Sequence, residues 1–362
     1  ARNEILISAL ADEDLRVPCA ALDALSLNPE ASFVPILSEA VGAKAWNDVV
    51  ARRLARALLA CSLSAEGQGA ARTLLAGPAS VALSGSDPGP ALVFVQWAGA
   101  LGAGSSVESE TRETAWRMLS KALTAGKPEV RAGAAHALRG WGAYEPARTP
   151  LIELLHSGVT PRGRRAALAT LASTFGVKDV ATRAAVIASL AKDSDPTVRE
   201  KAAVVLGVPE LKEATPALIA AMKDSQWTVA VCAAVSLGRV RGAEAVTALI
   251  AATTHADWKM RGAAAVGLMH TYSKESVPVL IHLLDDPHGT VARTAHEILI
   301  RITYQRLERS SALYTAWWKK DENVMQLLTP EEALKRGQEY AFSESRARSF
   351  APALLRRRPR RF

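Results

Sequence analysis

The sequence predicts an all-α chain, a right-handed α-solenoid of about nine helical hairpins, and three observations carry that prediction. Alanine and leucine dominate the apolar share, aromatic residues make up only 5% of the 362 residues, and β-branched runs are sparse. A set of side chains recurs every 31 residues. A second short apolar segment follows each copy of that set. Alanine is the best helix former and lets neighbouring helices approach closely, so the composition points to helix packed on helix.

The recurring set is clearest from Asp193. Asp193, Pro196, Val198-Arg199, Ala202-Ala203 and Leu206-Gly207 are matched by Asp224, Trp227, Val229, Ala233-Ala234 and Leu237-Gly238. His255, Trp258, Met260-Arg261, Ala264-Ala265 and Leu268 come next, then Asp286, Val291, Ala295 and Leu299. Self-similarity at a fixed period of this length is the signature of stacked supersecondary units. Upstream, Pro128, Val130-Arg131, Ala134-Ala135 and Leu138 fit well, and Arg164, Ala167 and Leu171 fit in part. Before residue 110 the pattern fades to leucine slots at Leu25, Leu58 and Leu101.

Each unit has a physical logic. An acidic or hydroxyl side chain before the helix accepts a backbone N–H bond, and Pro128 and Pro196 fall in or just before the first turn, where a missing N–H costs nothing. Val, Ala and Leu lie four and eight residues apart, forming one stripe on a helix. Gly207 and Gly238 are expected to end their helices in the left-handed conformation. The second helices are predicted at residues 216–222, 243–252 and 277–284. Neither helix of a pair buries its stripe alone, so successive hairpins must stack.

The organisation expected along the chain is therefore degenerate repeats over 1–124, with a Gly/Pro/Ser-rich surface loop near 77–90. Regular repeats follow over 125–305, then capping helices over 306–342, near 311–319 and 330–342, and a basic tail over 343–362. Of the net charge of +8, the tail supplies most: Arg346, Arg348, Arg356, Arg357, Arg358, Arg360 and Arg361 stand against one acid, Glu344. Proline and like charges predict a tail that is unfolded in isolation.

The pattern D-x-x-P/W-x-V-R-x-x-A-A-x-x-L-G resembles the HEAT repeat family, in the short bacterial form related to phycobilisome-lyase-type repeats. The resemblance implies a ladder of ion pairs between neighbouring repeats, with acids at Asp193, Asp224 and Asp286 and bases at Arg131, Arg199 and Arg261; Ala230 and Ala292 interrupt it. Ile302-Thr303-Tyr304-Gln305, followed by Tyr314 and Trp317-Trp318 with Lys319-Lys320, is similar to the I-T-G-Q…W-x-x-W-W ending of many bacterial multi-repeat HEAT proteins. Tyr304 stands for the usual glycine and Tyr314 for the first tryptophan, so only a capping role carries over.

The sequence offers no P-loop, nucleophile elbow or H-E-x-x-H motif. Cys19, Cys61 and Cys232 are scattered and odd in number, reading as buried thiols rather than a disulfide or zinc framework. His296-Glu297 is one His-Glu pair, whereas the HEAT-type deoxyhypusine hydroxylases use several to hold two irons. His282 and His288 flank Asp285-Asp286, a spacing that a capping turn explains. No catalytic residue, cofactor, metal or small-molecule substrate is indicated, and the chain reads as a non-enzyme.

The expected function is a non-catalytic protein–protein interaction scaffold or adaptor subunit of a larger bacterial assembly, with the tail as a docking peptide. Candidate partner-binding residues are Trp227 and Trp258, expected side by side at the repeat edge, the pair Trp317 and Trp318, and Arg356, Arg357, Arg358, Arg360 and Arg361. The second helices are expected to line a concave face, offering Glu153, Arg183, Lys212, Glu244, Thr247 and His282. The alternatives are a nucleic-acid-binding HEAT protein using the basic tail, or a phycobilin-lyase-type chromophore-handling subunit. The longest apolar stretch, residues 91–103, is too short to cross a bilayer. The start at Ala1 and the C-terminal motif favour a periplasmic or extracellular location after leader removal; the odd cysteine count argues the other way.

Overall fold

A computed structural model describes residues 2–43, 47–156, 160–303 and 305–321. Its contacts divide the chain into two compact units, Ala1–Ala185 and Val186–Phe362. The predicted helix at 330–342 and the tail at 343–362 lie outside the described residues. Among the described residues the regular structure is entirely helical.

The first unit holds α1 (Arg2–Ala11), α2 (Arg16–Leu27), α3 (Phe33–Ala43), α4 (Asp48–Cys61), α5 (Ala65–Ala76), α6 (Pro78–Ser84), α7 (Pro88–Ala103), α8 (Ser109–Leu123), α9 (Pro128–Ala137), α10 (Arg148–His156) and α11 (Pro161–Thr174). α12 (Val180–Lys192) carries the chain across the division. The second unit continues with α13 (Pro196–Leu206), α14 (Thr215–Ala221), α15 (Trp227–Val240), α16 (Ala243–Ala252), α17 (Trp258–Thr271), α18 (Ser276–His282), α19 (Gly289–Thr303) and α20 (Ser311–Asp321).

Within each unit the helices form two layers. In the first, α2, α4, α7, α9 and α11 pack in succession, while α1, α3, α5, α8 and α10 form the other row. In the second, α13, α15, α17 and α19 form one row and α14, α16, α18 and α20 the other. Each helix touches its hairpin partner and its neighbours in the row, which is the stacking of an α-solenoid.

The 31-residue pattern maps onto the seam between these rows. Val198, Val229, Met260 and Val291 are buried, as are Ala202, Ala233, Ala264 and Ala295, and Leu206, Leu237, Leu268 and Leu299. Burying each leucine side chain contributes about 1.5–3 kcal/mol, and the alanines set how closely the helices approach.

Glycine serves that same approach rather than termination. Gly238 lies inside α15, where an added Cβ would meet the Gly267 carbonyl oxygen of α17 at 2.1 Å. Gly207 does follow α13, but with φ of −73°, and an added Cβ would fall 2.8 Å from Ser236 Oγ. The expected left-handed helix ends at these two positions are therefore corrected. A pattern search sees a glycine after a leucine; the structure shows that the neighbouring backbone occupies the space of its side chain. Left-handed backbone occurs instead at Glu210, Arg241 and Tyr272, with φ of 65°, 66° and 53°. These three are themselves 31 residues apart, so the turn between paired helices repeats as faithfully as the core.

The expected loop near 77–90 is also corrected, since most of it is helix. Pro78 and Pro88 start α6 and α7 at their first turns, Asp87 accepts the Gly89 N–H, and Ala79 is fully buried. The Gly/Pro/Ser composition that signals a loop here marks two helix starts. Of the cysteines, Cys61 and Cys232 are buried, and burial pushes the Cys232 thiol up to about 12. Cys19 is only half-buried and accepts a bond from Arg53 at 3.4 Å.

Gly238→Ala should therefore lower stability by about 1–3 kcal/mol, the cost of overpacking. Gly262→Ala, whose new Cβ meets nothing nearer than 3.9 Å, should instead be neutral or stabilising by up to about 1 kcal/mol. Chemical denaturation of the two variants checks this, and equal losses in both would show that helix approach is not what the glycines serve.

Candidate partner interface

The edge of the second unit, where each row helix begins, brings most of the sequence candidates together. Trp227 and Trp258 are the first residues of α15 and α17, the position Pro196 holds in α13. Both are half-buried. They do not stack on one another as expected. Lys259 Nζ lies 4.6 Å from the Trp227 ring centroid, and His288 stacks on Trp258 at 3.8 Å with the planes 4° apart. Each tryptophan is thus covered by a side chain of the following repeat, because consecutive copies of one slot are separated by a full repeat step.

The ion-pair ladder is present beside them. Arg199 grips Asp224 through Nε and Nη2 at 2.7 and 2.9 Å, and Arg261 grips Asp286 at 2.7 and 2.8 Å. All four side chains are 3–14% exposed. Each acid also accepts the backbone N–H two residues on, so it closes its own turn while holding the previous repeat. Each arginine in turn donates to carbonyls five and six residues upstream: Asp193 and Ser194 for Arg199, His255 and Ala256 for Arg261. Two-pronged pairs of this kind fix direction as well as distance.

Between these two rungs one is missing, and both of its members are replaced. Ala230 stands at the arginine position and His255 at the acid position. His255 still closes its own turn, its Nδ1 accepting the Asp257 N–H at 3.0 Å. Replacing both partners leaves no buried charge without a counter-ion, which is the costly outcome.

Trp318 is 7% exposed and joins Tyr314, Leu280, Ile298 and Leu299 in the core that ends the described array. Trp317 is half-buried against Tyr314 and Trp318. Tyr314 donates to the Gln305 carbonyl and His296 Nε2 bonds the Leu307 carbonyl, tying α20 and its approach to α19. Arg356, Arg357, Arg358, Arg360 and Arg361 lie outside the described residues. Of the second-helix candidates, Glu153, Lys212, Glu244, Thr247 and His282 are exposed and Arg183 is half-buried.

Two clusters escaped the sequence reading. Arg112 lies between Trp141 and Tyr144, at 5.5 and 5.6 Å from their ring centroids, and Trp116 packs on both. Spacing of 25 to 32 residues between members hides this grouping until the helices are stacked. The other is a basic patch around His270 formed by Arg239, Arg301 and Arg241; burial and these three charges bring its pKa down to about 4. Arg241 also lies over the Tyr272 ring at 5.1 Å. Among the described residues, no three His, Cys, Asp or Glu side chains gather as a metal site, and no helix is long and apolar enough to cross a membrane.

With this geometry in view, a family model described as HEAT repeats matches residues 148–230, 183–257 and 215–301. Residues 148–301 are HEAT repeats. The HEAT array also resembles one chain of a solved structure entitled "Kap95p Binding Induces the Switch Loops of RanGDP to adopt the GTP-bound Conformation: Implications for Nuclear Import Complex Assembly Dynamics", with 13% identity and a TM-score of 0.48. That likeness covers 84% of this chain and 51% of the other, so this chain spans about half the length of its neighbour. No curated protein matches the sequence.

Two pH steps follow. The arginine hydrogen bonds to Asp224 and Asp286 hold both carboxyls below their ordinary value. Their contribution is therefore complete above about 4 and is lost as pH falls through the lowered folded values. His270 is held neutral, so its contribution is complete above 6.5 and is lost between there and about 4. Melting temperature should decline in both ranges on acidification, and His270→Gln should flatten only the upper one. Asp286→Asn should cost about 2 kcal/mol at neutral pH and weaken the lower step; a decline unchanged by either variant would assign it to other groups.

Proposed function

We propose that this chain is a non-catalytic protein–protein interaction scaffold, an adaptor subunit of a larger bacterial assembly, with the basic C-terminal segment as a docking peptide. The observation that carries the reading is the row α14, α16 and α18. These short helices stack side by side, bury Leu218, Leu249 and Leu280, and turn Lys212, Glu244, Thr247 and His282 outward. A row of this kind presents a broad surface of mixed charge on a rigid backing, which suits a protein partner better than a small molecule. HEAT repeats over 148–301 support the same reading. Trp227, Trp258 and Trp317, half-buried rather than sequestered, supply the aromatic area that dominates contact energies in such interfaces.

A second reading, binding to nucleic acid, draws support from the arginines around His270 and the seven arginines of the tail. Phosphate contacts release counter-ions, so affinity would fall with salt at a slope of about 0.9 per phosphate neutralised on duplex DNA.

Affinity purification from the native cell, with and without nuclease and read by mass spectrometry, separates the two. The scaffold reading expects one fixed protein partner in both samples. Loss of all partners on nuclease treatment, together with steep salt dependence, would replace it with the second. With the partner in hand, deleting residues 343–362 should weaken binding at least tenfold, equivalent to about 1.4 kcal/mol; unchanged affinity removes the tail from the proposal.

A further inference from the structure

The missing rung leaves a cavity of about 230 Å³, lined by Met222, Lys223, Asp224, Ser225, Trp227 and Ala230 from one repeat and by His255, Asp257, Lys259 and Met260 from the next. What it lacks is defined by its neighbours. Arg199 and Arg261 each direct Nη1 at the two carbonyls five and six residues upstream, and Arg131 does the same to Ala125 and Gly126. The equivalent carbonyls here belong to Asp224 and Ser225, and the residue that would reach them is Ala230. Among the described residues no side-chain donor bonds either one. Both residues line the cavity, as does the Trp227 ring, which already carries a cation, Lys259 Nζ.

We propose that this cavity is a binding site for a guanidinium group, filled by an arginine side chain of a partner protein. The charges facing it nearly cancel. Lys223 and Lys259 stand against Asp257 and against Asp224, which Arg199 already holds, while His255 accepts a bond at Nδ1. The uncapped start of α15 adds a weak positive field. Hydrogen-bond geometry therefore decides. Two free carbonyls match the planar fork of an arginine and offer nothing to an anion, and a guanidinium stacks on an indole face where an ammonium only points at it. An incoming arginine would displace Lys259 from the ring and restore the contact that Ala230 lacks. The identity of the occupant rests on the scaffold reading above; the chemistry of the cavity does not.

The test uses the full chain with ¹⁵N-labelled indoles, the Trp227 signal being assigned by its loss in Trp227→Phe. Titration with Nα-acetyl-arginine amide should shift that signal to saturation with a Kd of about 1 mM, at least tenfold tighter than Nα-acetyl-lysine amide. Ala230→Arg should abolish the shift by filling the slot from within. Lys259→Met should tighten binding severalfold by removing the competing ammonium. No saturation, an equal response to the lysine probe, preference for Nα-acetyl-glutamate amide, or weaker binding in Lys259→Met would overturn the proposal. Circular dichroism confirms that each variant is folded, and Lys259→Met carries the test if Ala230→Arg is not. Replacing Arg356, Arg357, Arg358, Arg360 and Arg361 with glutamine should leave the Kd unchanged; a tighter Kd would overturn assignment to a partner in favour of the chain's own arginines. Because the probe is a single amino-acid amide, a negative titration leaves the scaffold reading intact. A failed purification leaves the cavity's affinity measured.

Discussion

Close contact between neighbouring row helices is the constraint on which the rest of the second unit depends. At Gly238 the backbone of α17 occupies the place of a side chain, and the alanines at 202, 233, 264 and 295 keep the seam narrow on either side. Helices held this near to one another leave little freedom in the angle and offset of successive hairpins. That rigidity brings Arg199 to Asp224 and Arg261 to Asp286 with both prongs engaged. It also sets Lys259 over Trp227 and His288 over Trp258. A looser seam with larger side chains would let each hairpin find its own offset, and the charge pairs across repeats would be the first to come apart.

Much of the fold was legible because the physics that stacks hairpins also fixes spacing. Val, Ala and Leu at constant intervals announced buried positions, and those positions are buried. Arginine and aspartate at constant intervals announced a ladder, and two rungs of it are present. What the spacing could not convey was which neighbour a residue meets. Gly207 and Gly238 looked like helix ends because sequence order shows only what precedes and follows, whereas their roles come from helices a full repeat away. The segment from Gly77 to Pro90 looked like a loop because proline, glycine and serine mark both turns and helix starts. The Trp116, Trp141 and Tyr144 cluster, and the arginines around His270, arise from stacking alone and leave no local trace.

The candidate interface was legible only in its cast. Trp227 and Trp258 were correctly seen as equivalent positions, but equivalence places residues one repeat apart rather than in contact. Trp317 and Trp318, adjacent in sequence, divide between surface and core because neighbours on a helix point about 100° apart. The interrupted ladder was visible as Ala230. Its meaning emerged only when His255 was seen to have changed with it, and when the flanking arginines showed which carbonyls the alanine leaves unserved.

Each rung joins an arginine of one repeat to an aspartate of the next, and in the stretch from Asp193 to Asp286 intact and absent rungs alternate. This gives the array a grammar of pairs. Excising the single copy from 224 to 254 would set Arg199 against His255, a cation facing no acid. Excising two copies, 224 to 285, would set Arg199 against Asp286 and restore a match. Gain and loss of repeats in such an array are therefore tolerated two at a time, so the unit of its inheritance is double the unit of its fold.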